Sequence, residues 1–406
     1  MTQFNPEQAL WRIRREFGEH GGVTPSISRS STFTVLDPGI MPDIFKGIRG
    51  PEKGGYFLYS RHYNPTVDTL ARELAAIENT EAAICTSSGM SAIACTILQI
   101  CKTGDHIVAS GTIYGGTHAL LEHLLPEMGI KTTFVDISSH TEVQDAIASN
   151  TKMIFTESVG NPTLQIANIP VLAKIAHDNE KQLVVDNTFT PMIMTPSLLG
   201  ADIVISSLTK FVNGASDVIA GVICGSKAFI HQLVDLHTGR VMLFGPTMDA
   251  RTAFDIQQRL PHLSLRMKEH SVRAQAIAEL LYQLKTNVIY PGLVSHPQHE
   301  LMTSFINDGY GYGGILAIDC LTKDRAETFM SLLQNKERFG LIAVSLGYFD
   351  TLISCSGSST ASEIAIEDQK TIGLSPGLVR LSIGITGSLP ERLEQIERAA
   401  KEAGLV

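Results

Sequence analysis

Seven short apolar runs, at residues 82–85, 106–109, 132–135, 153–156, 183–185, 203–205 and 218–224, are mostly separated by stretches with helical spacing. A strand with one face in water alternates apolar and polar residues, so runs this continuous read as strands buried on both faces. Alternating such strands with helices predicts an α/β chain with a mostly parallel, seven-stranded sheet covered on both sides. The helix ahead of the first run is predicted over residues 66–79, where Leu70, Leu74, Ala75 and Ile77 share one face. Further helices are predicted at 90–100, 117–127 and, as one long element, 253–284. Residues 1–62 are rich in Gly, Pro and Ser and read as an extended arm. The predicted organisation is an arm (1–62), a large α/β domain (63–255) and a smaller C-terminal α+β domain (256–406). The last contains strands near 314–319 and 378–383 and a helix from Leu389.

Composition narrows the partners. A net charge of −9 argues against nucleic acid or an anionic membrane surface. No stretch of about 18 uncharged apolar residues is present, which predicts no membrane span. The first residues lack a basic stretch followed by an apolar core, so no secretory signal is expected. Cys85, Cys95, Cys101, Cys224, Cys320 and Cys355 are scattered without a C-x-x-C pair. Reduced thiols, a cytoplasmic location and no metal site are predicted.

Chemistry concentrates at two strand ends. The run 203–205 continues through Ser206, Ser207, Leu208 and Thr209 to Lys210, and the run 183–185 ends at Asp186. A strand-end lysine with a strand-end carboxylate is what a pyridoxal phosphate enzyme needs. The amine forms the Schiff base, and the acid keeps the pyridine nitrogen protonated so that the ring acts as an electron sink. Taken alone, Lys210 is equally a solvated lysine past a strand, and Asp186 a turn residue. The turn Thr86-Ser87-Ser88-Gly89-Met90-Ser91 joins a strand to a helix, and its small residues leave amides and the helix dipole free for an anion. A Ser cap with a turn glycine explains it as well. The hydroxyls of Ser207 and Thr209 add donors for a phosphate ester. Gly309-Tyr-Gly311-Tyr-Gly-Gly314 has the letters of a dinucleotide loop but precedes a strand, so it is rejected as a nucleotide site.

These segments together resemble the pyridoxal-phosphate enzymes of cysteine and methionine metabolism. The family includes cystathionine γ-synthase, cystathionine β- and γ-lyases, acylhomoserine sulfhydrylases and methionine γ-lyase. The matching stretches are Tyr59-Ser-Arg61-His-Tyr-Asn-Pro-Thr66, Ser87-Ser-Gly-Met-Ser-Ala92, Ile113-Tyr114-Gly-Gly-Thr117, Thr156-Glu157-Ser-Val-Gly-Asn161-Pro, Val185-Asp186-Asn-Thr-Phe189, Ser207-Leu-Thr-Lys210-Phe, Val344-Ser345-Leu-Gly347 and Gly377-Leu-Val-Arg380-Leu-Ser382. They occur in the family's order from about residue 55 to the end. The resemblance implies the type I fold of these enzymes. It implies Lys210 as the Schiff-base lysine and carrier of the Cα proton, Asp186 as partner of the ring nitrogen, and Tyr114 as a ring-stacking acid or base at the leaving sulfur. Gly89, Met90, Ser207 and Thr209 would hold the phosphate. Tyr59 and Arg61 would reach a phosphate in the neighbouring subunit of a homodimer or homotetramer with shared active sites. Arg380 would clamp the carboxylate of a small amino-acid substrate, with Asn161 and Ser345 nearby.

Within the family, Tyr114-Gly-Gly-Thr-His118-Ala119-Leu120 resembles the methionine γ-lyase pattern. Phe339 stands near where some relatives place an acidic reader of a distal amine, which implies an apolar or small substrate tail. The chain departs from the pattern at Gly116, where methionine γ-lyases usually carry cysteine, and over residues 354–362. The implied activity is γ-elimination on methionine or homocysteine, giving 2-oxobutyrate, ammonia and a thiol. The alternatives are γ-replacement on an acylhomoserine, as in cystathionine γ-synthase or O-acetylhomoserine sulfhydrylase, cystathionine β- or γ-cleavage, and a noncatalytic regulatory homologue.

Overall fold

A computed structural model describes residues 3–14, 18–355 and 375–406. The first sheet contains β1 (Ala82–Thr86), β2 (His106–Ser110), β3 (Lys131–Val135), β4 (Thr151–Glu157), β5 (Gln182–Asp186), β6 (Ile203–Ser207) and β7 (Gly221–Gly225), in the order β1-β7-β6-β5-β4-β2-β3. Neighbours pair in parallel except β7, which runs antiparallel to both β1 and β6. The seven predicted strands are thus present, and both faces are covered. Along β5, Leu183 and Val185 enter one core cluster and Val184 the opposite one, all fully buried. Burying each such side chain stabilises the sheet by roughly 1.5–3 kcal/mol, so polar substitution at these central β5 positions is strongly disfavoured.

The helices begin where the sequence supplies caps. Asn64 Oδ1 accepts the N–H groups of Thr66 and Val67 at the start of helix Pro65–Ile77, whose Pro65 needs no acceptor. Ser88 and Ser91 form a reciprocal capping box on helix Gly89–Ile100. The predicted helix at 117–127 is divided into Gly115–Ala119, a wider turn Leu120–Leu124 and Leu125–Glu127. The predicted helix 253–284 is also interrupted. It runs as Ala250–Arg259, a tight turn Leu260–His262 and Leu263–Gln283. Pro261 has no N–H to donate and crowds the preceding turn, so the ladder breaks there.

The second sheet contains β8 (Val288–Ile289), β9 (Ile315–Asp319), β10 (Gly340–Ile342), β11 (Thr351–Cys355) and β12 (Leu378–Ser382), in the order β10-β11-β12-β9-β8. Helix Leu263–Gln283 ties this sheet to the loop that follows Lys210 through a buried polar stripe. Arg266 donates to the carbonyls of Phe211 and Val212 (2.5 and 2.9 Å). One turn on, His270 Nδ1 donates to the Ile383 carbonyl at 2.6 Å, just past β12. Arg273 donates to the Thr386 and Gly387 carbonyls. Positions 266, 270 and 273 share one helix face, so one rigid element holds the lysine loop and the end of β12 in a fixed relation. The N-terminal arm is anchored by its helix Pro6–Ile13, whose Leu10 is buried in the core shared with helix Pro65–Ile77.

Candidate active site

Sheet order and parallel direction bring the carboxyl ends of β4, β5 and β6 together, where α/β sheets leave a crevice. Those ends are Glu157, Asp186 and Ser207, with Glu157 and Asp186 level with each other in register. Asp186 is buried, and Thr188 donates to its Oδ1 through both backbone N–H (2.9 Å) and hydroxyl (2.5 Å). The same hydroxyl accepts the Ser207 N–H at 2.8 Å, linking the ends of β5 and β6. Burial pushes the Asp186 carboxyl up, opposed by the two Thr188 bonds and by the charge of Lys210.

Lys210 donates from Nζ to Ser345 Oγ at 2.7 Å. Burial, then the Arg380 charge, lower its amine to about 8, with Asp186 pulling the other way. An amine so lowered is substantially neutral near pH 8 and available as a nucleophile or base. Ser345 has φ +88°, a left-handed conformation that costs a non-glycine residue on the order of 1–3 kcal/mol. Its neighbours hold it there. Arg380 Nη2 donates to the Ser345 carbonyl (3.0 Å), and Ser382 Oγ accepts the Gly347 N–H (2.8 Å). Arg380 and Ser382 lie two apart on β12, hence on one face. At Gly347 a Cβ would stand 2.4 Å from the Phe211 nitrogen, so only glycine lets this turn close onto the lysine segment.

Arg380 is 2% exposed. Its Nη1 donates to Asn161 Oδ1 at 2.8 Å, while its buried Nε has no protein acceptor among the described residues. Burial lowers its pKa to about 10, opposed by Glu157 and Tyr114. A buried guanidinium with an unsatisfied donor suits a carboxylate ligand. Glu157, which the sequence reading did not single out, accepts the Tyr114 N–H on Oε1 (2.8 Å) and the Asn161 N–H on Oε2 (2.9 Å).

Tyr114 precedes helix Gly115–Ala119 and its side chain is 44% exposed. The ring folds back over Gly116, where a Cβ would lie 2.6 Å from Tyr114 Cε1 and 3.3 Å from Met90 Sδ. Gly89 is packed as closely, since a Cβ there would lie 2.7 Å from Ser207 Cβ. Ser88 Oγ serves the Ser91 N–H, and the amides of Gly89 and Met90 have no acceptor within their own helix. Thr209 Oγ1 accepts the Ala220 N–H at 3.0 Å. Lys210, Asp186, Ser345, Arg380, Asn161, Glu157 and Tyr114 are therefore joined by direct contacts, with Ser207 beside them and Gly89 against Ser207.

Two expected contributors lie elsewhere in this chain. Arg61 Nη1 donates to the Met242 carbonyl (2.7 Å) and its guanidinium sits 5.6 Å from the Tyr59 ring centroid, with Tyr59 itself 46% exposed. The distal pocket expected from Phe339 is corrected by its burial. Its side chain is 2% exposed in the core of the second sheet, with Arg392 over the ring. Leu120 also belongs to a core cluster, and His118 stacks on Phe134 at 4.4 Å. Of the departure at 354–362, residues from 356 onward lie outside the described residues. No group of three or more His, Cys, Asp or Glu side chains suited to a metal occurs among the described residues.

The site fits pyridoxal phosphate. A lowered amine, a buried acid, helix amides in a cradle that a Cβ would fill and an unsatisfied guanidinium donor match its aldehyde, ring nitrogen and phosphate and the carboxylate of an amino acid. Comparison with known proteins agrees. A family model described as Cys/Met metabolism PLP-dependent enzyme matches residues 10–396. The chain is 52% identical over 397 residues to a methionine gamma-lyase of Arabidopsis thaliana, covering 97% of this chain and 90% of that protein. It is 36% identical over 386 residues to a cystathionine gamma-lyase of Bacillus subtilis, covering 94% and 97%. The crystal structure of a cystathionine gamma synthase from Xanthomonas oryzae pv. oryzae, in complex with aminoacrylate and cysteine, is similar with a TM-score of 0.88 at 30% identity, over 99% of each chain. The chain belongs to the Cys/Met-metabolism family of pyridoxal-phosphate-dependent enzymes.

Proposed function

We propose that this enzyme is a carbon–sulfur lyase that breaks the Cγ–S bond of methionine or homocysteine and, with water, gives 2-oxobutyrate, ammonia and a thiol or hydrogen sulfide. The observation that carries the amino-acid reading is the unsatisfied Nε of buried Arg380, joined through Ser345 to the Lys210 amine. The substrate class is supported by the 52% identity to a protein named methionine gamma-lyase.

When bound, pyridoxal phosphate supplies the electron sink that makes the substrate's Cα proton removable. Gly89 and Met90 amides with the Ser207 and Thr209 hydroxyls would hold its phosphate, and Asp186 would pair with its ring nitrogen. Arg380 and Asn161 bind the substrate carboxylate, which fixes Cα beside Lys210. The Lys210 amine would take the Cα proton and carry it, loss of a Cβ proton would supply the electrons that expel sulfur from Cγ, and Tyr114 would protonate that sulfur from the half-exposed side. The test offers purified enzyme methionine, homocysteine, cystathionine, cysteine and O-acetylhomoserine, with and without sulfide, and identifies the products. Methionine is expected to yield 2-oxobutyrate with little pyruvate. Formation of homocysteine or cystathionine from an acylated homoserine, with methionine untouched, would establish the synthase alternative instead.

The working unit is a homodimer, assembling further into a tetramer, in which Tyr59 and Arg61 complete the partner's phosphate site. Within one chain Arg61 contacts the Met242 carbonyl and the Tyr59 ring rather than the Lys210 cluster, which supports this. So do the exposed apolar side chains Phe45, Leu243 and Phe244 along the same region. Mixing inactive Arg61→Ala and Lys210→Ala variants is expected to restore activity through one intact site per hybrid dimer. A fully active, cofactor-saturated monomer in sedimentation would refute sharing. The enzyme works in the cytoplasm. The thiols of Cys85, Cys95, Cys101, Cys224 and Cys320 are free and buried, and burial raises Cys95 to about 11 and Cys101 and Cys320 to about 12, which suits a reducing compartment. Among the described residues no helix is long and apolar enough to cross a membrane.

A further inference from the structure

We infer that Glu157 is a positioning residue whose carboxylate holds the Tyr114 phenol and the Asn161–Arg380 clamp in one frame. The inference rests on the roles proposed for Tyr114 and Arg380. Glu157 ends β4, is 7% exposed and stands level with Asp186 on β5. Placing two carboxylates side by side away from water is unfavourable, because desolvation and like charge both oppose ionisation. Its hydrogen bonds show what that placement serves. Oε1 takes the N–H of Tyr114, and Oε2 takes the N–H of Asn161, whose Oδ1 in turn accepts from Arg380 Nη1. One rigid, forked acceptor thus spans the residue facing the leaving group and the residue that steadies the substrate carboxylate.

A carboxylate suits the task because both oxygens accept. Glutamine has the same shape, but its NH₂ faces a backbone N–H and repels it, so either the Tyr114 turn or the Asn161 turn must move. A displacement of about 1 Å in a reacting group costs on the order of 10²-fold in rate. Burial, then the Asp186 charge from β5, push the Glu157 carboxyl up, while the N–H groups of Tyr114 and Asn161 and the charge of Arg380 on β12 pull it back toward the ionised form that accepts on both oxygens.

The experiment compares cofactor-loaded wild type, Glu157→Gln and Glu157→Asp. It measures kcat and KM for methionine across pH, cofactor content, thermal stability, and glycine binding followed by the cofactor's absorption. Glycine has a carboxylate but no leaving group, so it reports the clamp alone. Glu157→Gln is expected to lose on the order of 10²-fold in kcat/KM. Its kcat should fall and its KM rise together, and glycine should bind more weakly. Glu157→Asp, which keeps both acceptors, is expected to retain more activity than Glu157→Gln. Wild-type constants in Glu157→Gln would overturn the inference. So would a loss that only tracks missing cofactor or unfolded protein, or a lower kcat with unchanged KM and glycine binding. If wild type binds glycine but leaves methionine intact, the substrate reading fails, and weaker glycine binding by Glu157→Gln still decides the positioning role.

Discussion

Lys210→Ala is expected to abolish turnover, by at least roughly 10⁴-fold, while the protein folds as before. The same amine is nucleophile toward the cofactor and carrier of the Cα proton, and a positioned acid–base group alone contributes roughly 10²–10⁴-fold. The fold should survive because the single side-chain bond lost is the one to Ser345 Oγ, whose backbone stays held by Arg380 and whose turn is held by Ser382. Steady-state kinetics and circular dichroism check both halves. The lowered amine adds a pH signature. Below about pH 8 the neutral fraction grows tenfold per unit, so capture of added pyridoxal phosphate by the cofactor-free chain should accelerate up to that point and level off above it. Borohydride reduction and peptide mapping should find the cofactor on Lys210. Attachment to any other lysine would refute the assignment.

The second large effect is expected from Tyr114→Phe, which should slow elimination from methionine by roughly 10²–10⁴-fold. The substitution removes one oxygen and keeps the ring. The ring's position is set by Gly116 beneath it, and its backbone by Glu157, neither of which the change touches. Cofactor content should therefore stay near wild type while kcat falls, because the departing thiolate loses its proton donor. An undiminished kcat would remove Tyr114 from the leaving-group step. Gly116→Cys offers a related comparison. Its added Cβ would overlap the Tyr114 ring at 2.6 Å, so the ring must shift before the variant can work at all.

Much of the fold was legible because its signal is local. A strand buried on both faces must be apolar at every position, and a helix on a sheet must repeat every three to four residues. Those two rules located the seven strands within a few residues. Lys210 and Asp186 stood out for a related reason, since a charged residue at or shortly beyond the end of a buried run marks a strand end. The helix break at Pro261 was also present in the sequence but was read through. Phe339 was misassigned because a lone aromatic carries no sign of which side of a sheet it faces.

What the sequence by itself determined is the strands of the first sheet, most of the helices, the family and which charged residues stand at the strand ends. Tertiary structure alone decided their partnerships. Glu157 merely follows the apolar run 153–156, and only the parallel register of β4 on β5 sets it beside Asp186. Likewise, no local pattern places the β12 arginine against Asn161, 219 residues away, or lets the 345–347 turn close on Lys210. The buried Arg266, His270 and Arg273 make helix Leu263–Gln283 look only weakly amphipathic, and their use appears once the loops they hold are in place. Periodicity is a property of neighbours along the chain. Register, burial and the shifted pKa values of a site are set by neighbours across space, which the chain acquires only on folding.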